Sequence, residues 1–470
     1  MPEVTTVDPA TGQVLATYPA AGVGEVLQVL AGVHAAQPAW AARPVAERAE
    51  LVRAIGAQLR KESGELAALM TAEMGKPISE ARAEVEKSAT ACDFYADSGP
   101  AFLAPRPVDT GGQQRSWVAQ EPIGVVLAVM PWNFPFWQVL RFAAPTLLAG
   151  NTAVLKHSPN VTGCALAIER VLRDAGLPAD VFRSIVVAED DVPEASRALI
   201  ADDRVAAVSL TGSERAGAAV AAAAGRAVKK SLLELGGSDP FVVLADADVA
   251  PAVAGAVRSR FLNSGQSCLA AKRFVVHRDV AEEFTARFAE AVRGLQVGDP
   301  RDEATQVGPL ARADLREGLE RQVRESVAAG ARVLAGGAPL AGPGAFFAPT
   351  VVTDVTLDMP VLAEETFGPV AAVVVVAYDD EAVRLANATR YGLGASVWSA
   401  DPGHALAVGR RITSGALFVN AVVASDPRLP FGGTKRSGYG RELGEAGALE
   451  FTNARTYVVG GGVPTGPATE

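Results

Sequence analysis

Ile123-Gly124-Val125-Val126-Leu127-Ala128-Val129-Met130 is the stretch on which the architecture turns. It is apolar throughout, rich in valine and closed by Pro131, the pattern of a strand buried on both faces. Comparable runs follow at Thr152 to Leu155, Ile185 to Val187 and Val205 to Leu210, with helical stretches between them. Such alternation predicts a parallel sheet flanked by helices, an α/β fold. A second series follows Gly237, with strands at Phe241 to Leu244, Arg273 to His277, Val370 to Val376 and Leu417 to Asn420. Between them an amphipathic helix presents Phe284, Phe288 and Val292 on one face. The first hundred residues read as helical: Leu51, Ile55 and Leu59, then Leu66, Leu69, Met70 and Met74, keep helical spacing until Gly75 and Pro77. The Gly-, Pro- and Thr-rich end from Gly460 on is expected to fray. At 470 residues the chain is too long for one core, so two α/β units sharing a cleft are expected.

Composition narrows the function classes. The formal net charge is −10 and no Lys/Arg run appears, which argues against a general nucleic-acid binder and against attraction to an anionic membrane. Cys92, Cys164 and Cys268 are too few and too scattered for a disulfide scaffold. The four histidines show no metal-ligand spacing. The first residues lack the charged and apolar blocks of a signal peptide, and every apolar run is broken before it could span a bilayer. The expectation is a cytoplasmic protein with no metal, no nucleic-acid partner and no membrane.

Several short segments carry candidate chemistry. Cys268 ends Phe261-Leu262-Asn263-Ser264-Gly265-Gln266-Ser267, where Gly265 suggests backbone close to a ligand. A lone cysteine is more often a small buried hydrophobe, the reading given to Cys92 and Cys164. Glu234 precedes Cys268 by 34 residues and stands at a strand end before Gly236 and Gly237, facing either a cleft or solvent. In Met130-Pro131-Trp132-Asn133-Phe134-Pro135 the prolines restrict Asn133, whose amide suits an oxyanion hole or a plain helix cap. Thr211-Gly212-Ser213 links a strand to an Ala-rich helix, whose free N–H groups can hold a pyrophosphate. The GxGxxG fingerprint is absent from that setting. Lys156 lies at the carboxyl end of a strand, where open α/β sheets bind ligands, unless it is simply a surface lysine. Glu364-Glu365-Thr366-Phe367-Gly368-Pro369 sets a carboxylate and an aromatic beside a turn.

Taken in order, PWNFP at 131–135, Lys156, TGS at 211–213, ELGG at 234–237, GQSC at 265–268, EETFGPV at 364–370 and PFGG at 430–433 resemble the aldehyde dehydrogenase superfamily across nearly the whole chain. LKHSPN at 155–160, CLAAKRF at 268–274 and ASDPRLPFGG at 424–433 look most like its bacterial succinate-semialdehyde dehydrogenase branch. The resemblance implies two doubly wound parallel-sheet domains, cofactor and catalytic, sharing a cleft, plus a small β oligomerisation arm. Residues 1–103 and 123–236 would form the dinucleotide domain, 237–435 the catalytic domain, and 104–122 with 436–470 the arm and C-terminal segment.

It also implies roles. Cys268 is the nucleophile, attacking as thiolate; Asn133 and the Cys268 N–H hold the oxyanion; Glu234 is the base for hydrolysis of the thioester. Trp132, Lys156, Ser158, Gly212, Ser213, Leu235, Glu365 and Phe367 would meet the cofactor, NADP or NAD. Members strict for NAD commonly carry a glutamate where Pro159 stands, so NADP is favoured. Phe134, Trp137 and Phe431 would wall the substrate tunnel, while Arg141, Ser425 and Arg428 would meet a semialdehyde carboxylate. Leu262 stands where some relatives have an arginine, which leaves another semialdehyde or an aliphatic aldehyde open. Gly111 to Glu121 and Arg455 to Val459 would pair with a neighbour's sheet in a homodimer or homotetramer. A coenzyme-A-acylating relative would lack Glu234, a non-catalytic structural homologue would not need Asn133, Glu234 and Cys268 together, and a cysteine hydrolase would need a partner histidine that is not evident.

Overall fold

Two mostly parallel sheets grow from the apolar runs just described. The computed structural model describes residues 2–111 and 114–460. In one sheet six strands lie in the order Gly438–Tyr439, Lys230–Glu234, Val205–Thr211, Val125–Met130, Thr152–His157 and Phe182–Ile185. Every pairing is parallel except the first. From Val125–Met130 the chain builds outward to Phe182–Ile185, then returns to lay Val205–Thr211 on the other side. The reversal leaves a crevice between the carboxyl ends of those two central strands, where sheets of this kind take a ligand. In the other sheet seven strands run Arg332–Ala335, Thr350–Thr353, Val370–Val376, Ala271–His277, Asp239–Val243, Gly394–Trp398 and Ala416–Val419. Only Arg332–Ala335 is antiparallel to its neighbour.

The expected α/β architecture is therefore present, with differences that have simple causes. A hairpin of Glu3–Val7 and Val14–Pro19 precedes the helices, where the first hundred residues read as helical throughout. Only Val4 and Thr6 of its first strand are buried, too weak a pattern to notice. Gly394–Trp398 is central and wholly buried, yet its Gly-Ala-Ser start has no apolar run. The strand expected at Ile185 to Val187 lies at Phe182–Ile185. Helices Val45–Lys61, Ser63–Met74 and Ile78–Phe102 follow the expected periodicity, and Gly75, at φ 76°, ends the second in the left-handed conformation. Helix Trp137–Leu148 is buried along its entire length, which fixes whatever stands just before it.

Thr452–Val459 pairs antiparallel with Arg115–Pro122, which pairs in turn with Arg106–Pro107. The rings of Trp117 and Tyr457 stack across this ladder at 4.9 Å. Residues 112 and 113 of the expected arm, and 461–470 of the expected frayed end, lie outside the described residues. Gly438–Tyr439, grouped by sequence with the C-terminal segment, adds to the six-stranded sheet beside Glu234.

Candidate active site

The loop that carries Cys268 is held in an unusual shape. Asn263, Ser264 and Gly265 take φ values of 54°, 53° and 75° in succession, and two of the three are not glycine. Left-handed backbone of this kind persists only where surroundings dictate it. Here the Asn263 N–H donates to Glu80 Oε2 at 2.7 Å and its Nδ2 to the Asn133 carbonyl at 2.8 Å. The Ser264 hydroxyl donates to the Gly308 carbonyl and accepts from the Gly308 N–H, and Gln266 Oε1 accepts from the Ala311 N–H. The buried Arg260 guanidinium donates to the carbonyls of Gly265, Ala271, Thr366 and Gly368. A Cβ on Gly265 would collide with the Gly368 carbonyl and that guanidinium. The Cys268 side chain is half-buried. Burial pushes its thiol up to about 11, against the pull of Arg141 and Lys272.

Asn133 is fixed from both ends. Its Nδ2 donates to the Gln266 carbonyl at 3.0 Å and its Oδ1 accepts from Gln138 Nε2 at 3.0 Å. The direction of the amide is therefore set, and one N–H remains for a ligand oxygen. Lys76 Nζ donates to the Asn133 carbonyl at 3.0 Å and pairs with Glu84 in a dry interior. Glu84 Oε1 accepts the N–H groups of Phe136 and Trp137, capping the buried helix. On the far side His157 Nε2 donates to the Pro135 carbonyl, and burial lowers the imidazole to about 4, so the ring is neutral.

Glu234 ends its strand beneath Gly432, where an added Cβ would lie 2.9 Å from Oε1. That oxygen has no hydrogen-bond partner among the described residues. Burial holds the carboxyl well above the usual range and the nearby Glu442 raises it further, while Arg141 opposes both. Arg141 Nε lies 2.5 Å from Glu442 Oε2, both side chains buried. Lys272 ties this region to the cysteine: Nζ donates to the carbonyls of Gly237, Ser267 and Cys268 and to Glu365 Oε1. Gly237 packs so close to the Cys268 carbonyl that a Cβ there would lie 2.6 Å away.

Of the residues expected at the cofactor, Trp132, Lys156, Ser158, Gly212, Ser213 and Leu235 stand at or just beyond the carboxyl ends of strands in the six-stranded sheet, and Glu365 and Phe367 reach Gly237 and Trp132 from the other unit. Lys156 is buried, and its Nζ forms no hydrogen bond or ion pair among the described residues; burial lowers it to about 8. A desolvated ammonium without a partner fits a ligand oxygen. The Ser213 hydroxyl accepts from the Ala216 N–H, keeping its own proton to donate. The Gly212 N–H is spent on the Glu234 carbonyl, so the free donors at this helix start belong to the residues after it. Leu235 packs on Gly217, drawing that helix close to the sheet. The Ser158 hydroxyl donates to Asn160 and would have to turn to meet a ligand. Glu365 accepts the Gly237 N–H at 3.0 Å, and Trp132 meets Phe367 edge to face at 5.7 Å.

A cavity of about 290 Å³ opens on Cys268, lined among others by Phe134, Trp137, Gln138, Arg141, Leu262, Ser425 and Lys87. One sequence expectation is corrected here. Arg428 does not line it: the guanidinium is exposed and paired with Asp426, whose carboxylate also accepts the Arg428 N–H in a tight turn that aims the side chain outward. Phe431 is buried with Trp137 and Leu443 in a cluster against which Phe134 and Cys268 pack, with the Arg141 guanidinium 5.0 Å from its ring centroid. Lys76, Glu84, Lys87, Arg260, Lys272 and Glu442 are shaping groups that sequence reasoning passed over. Lys272 lies within the CLAAKRF segment, Arg260 just before the cysteine loop and Lys76 between Gly75 and Pro77; nothing local marked Glu84, Lys87 or Glu442.

A fold with two such sheets and a cysteine loop locked against an ELGG turn defines a class, and the sequence match agrees: the chain belongs to the aldehyde dehydrogenase family, whose model matches residues 2–457. It is 47% identical over 450 residues to the succinate semialdehyde dehydrogenase Sad, NAD(P)+ type, of Escherichia coli K12, covering 96% of each chain. It is 48% identical to a probable NADP+ succinate-semialdehyde dehydrogenase of Synechocystis, covering 96% of this chain and 99% of that one. Among solved structures, the succinic semialdehyde dehydrogenase of Streptococcus pyogenes in complex with NADP+ superposes with a TM-score of 0.93 at 36% identity, over 97% of this chain and 99% of that one.

Proposed function

We propose that this chain oxidises succinate semialdehyde to succinate with NADP or NAD, NADP favoured, through a thioester on Cys268. The observation that carries the reading is a half-buried thiol on the wall of a cavity, with Asn133 tied to its loop and keeping one N–H free, and the unpartnered Glu234 carboxyl near enough to act on the thiol's charge. The relatives named for this substrate support the choice of aldehyde.

The thiolate of Cys268 adds to the aldehyde carbon. The resulting oxyanion accepts from the free Asn133 N–H and the Cys268 N–H; losing one such donor costs about 3–4 kcal/mol at the transition state. A nicotinamide, when bound, would supply the oxidising chemistry as acceptor of the hydride that the thiohemiacetal carbon gives up. Lys156, Ser213, Glu365 and Phe367 would hold and orient the dinucleotide, with Trp132, Ser158, Gly212 and Leu235 shaping its site. Glu234, once deprotonated, takes a proton from water as that water adds to the thioester; the C–S bond then breaks and free acid leaves. An acyl-CoA product would reject the hydrolytic step. The cofactor unit is assigned to 1–103 and 123–236, the catalytic unit to 237–435, and 104–122 with 436–470 to assembly as a cytoplasmic homodimer or homotetramer.

An aldehyde panel run with each cofactor, followed by absorbance of the reduced nicotinamide, tests this. Succinate semialdehyde with NADP is expected to give the highest kcat/KM. A different aldehyde preferred by about tenfold or more, near the discrimination one methylene allows, would overturn the substrate.

A further inference from the structure

Lys87, Arg141 and Arg258 are the cations on the wall of the Cys268 cavity, and Ser425 stands among them. Their circumstances differ. Arg141 is buried against Glu442 and also donates to Thr211 Oγ1 at 3.3 Å, so its charge is already matched. Arg258 is exposed, and water screens it. Lys87 projects from helix Ile78–Phe102 into the cavity with its Nζ 4.3 Å from the Trp137 ring centroid. It donates one hydrogen bond, to Ser425 Oγ at 2.8 Å, and forms no ion pair among the described residues. The nearest carboxylates are committed elsewhere, Glu84 to Lys76 and Asp426 to Arg428. An ammonium carries three N–H groups, and a neutral hydroxyl satisfies one of them without touching the charge.

We infer that Lys87, with Ser425 orienting it, is the specificity-determining cation that receives the distal carboxylate of an ω-carboxyl aldehyde. The inference rests on the succinate semialdehyde reading above and deepens it. A carboxylate entering the cavity completes a charge-assisted bond in a partly desolvated setting, where such bonds are strongest. Leu262, also on the cavity wall, offers it nothing. The aldehyde end is then left toward Cys268.

Burial lowers Lys87 to about 8, with Arg141 adding to the effect while Glu84, Asp426 and Cys268 oppose it. Exposed Arg258 is the remaining charged group on the cavity wall. The free enzyme therefore loses this charge as pH rises through about 8. Ionisation of Cys268 and Glu234 affects every aldehyde alike, so it cancels in the ratio of kcat/KM for succinate semialdehyde to that for butanal. That ratio should fall above about pH 8 in the parent protein.

The test compares the parent with Lys87→Met, Lys87→Arg, Arg141→Met and Arg258→Met in full-length protein, on succinate semialdehyde and butanal. Lys87→Met should lower the ratio by roughly 10- to 100-fold, chiefly through KM for the semialdehyde, and should flatten its pH dependence. Lys87→Arg should restore part of the ratio. A proportionate fall for both aldehydes, or a loss of discrimination found in Arg141→Met or Arg258→Met instead, overturns the role of Lys87. If the parent itself does not prefer succinate semialdehyde to butanal, the substrate reading fails rather than this assignment alone.

Discussion

Cys268 carries a thiol raised to about 11, so at neutral pH it is almost wholly protonated in the absence of ligands. Only the thiolate is alkylated, and the sign follows: iodoacetamide labelling of Cys268, read by mass spectrometry, should accelerate with pH and continue to do so beyond pH 9. A plateau near pH 7 would contradict it. Glu234→Gln removes the proposed base while keeping the shape. A single burst of reduced cofactor followed by negligible turnover is expected in stopped flow; no burst at all would move Glu234 to thiol activation. Pro159→Glu adds a carboxylate two residues beyond the strand that ends at His157, and the ratio of kcat/KM for NADP to NAD should fall at least tenfold. The meeting of Asn133 with the Cys268 loop was legible because each sits in a short motif whose neighbours restrict it. Arg428 misled because its motif position says nothing of the Asp426 turn that aims it away. Lys87 was silent: its significance lies in which carboxylates are already taken, a fact about distant residues.

Loops, more than strands, show what an element here requires. In the run Asn263 to Gly265, Gly265→Ala adds a Cβ to left-handed backbone, a cost of about 1–2 kcal/mol before the collision with the Gly368 carbonyl is counted. Far-ultraviolet circular dichroism should be retained while turnover falls by at least a hundredfold, because the proposed nucleophile is displaced rather than removed. Glu84→Ala strips the buried helix of its cap and leaves Lys76 charged and unpaired in the interior. A loss of about 3–5 kcal/mol is expected, read from the denaturant midpoint. The valine-rich strands could be read from sequence because burial on both faces demands apolar residues at every position. Gly394–Trp398 could not, since neighbours on both sides supply the packing that its small residues lack.

At the scale of the whole molecule, the three-stranded ladder of Arg106–Pro107, Arg115–Pro122 and Thr452–Val459 leaves sheet edges that a second copy can extend. A chain ending at Phe451 is expected to lose that assembly, measured as a drop in mass by light scattering. An unchanged mass would place the contact elsewhere. The cysteine loop has a different consequence at this scale. Its hydrogen bonds reach Glu80, Asn133, Gly308 and Ala311, segments separated by much of the chain. Those to Glu80 and Asn133 cannot act until both halves have docked, so the loop cannot acquire its full shape early in folding. Refolding from denaturant should restore helix content first and turnover only afterwards, with competence arriving as the last event of maturation.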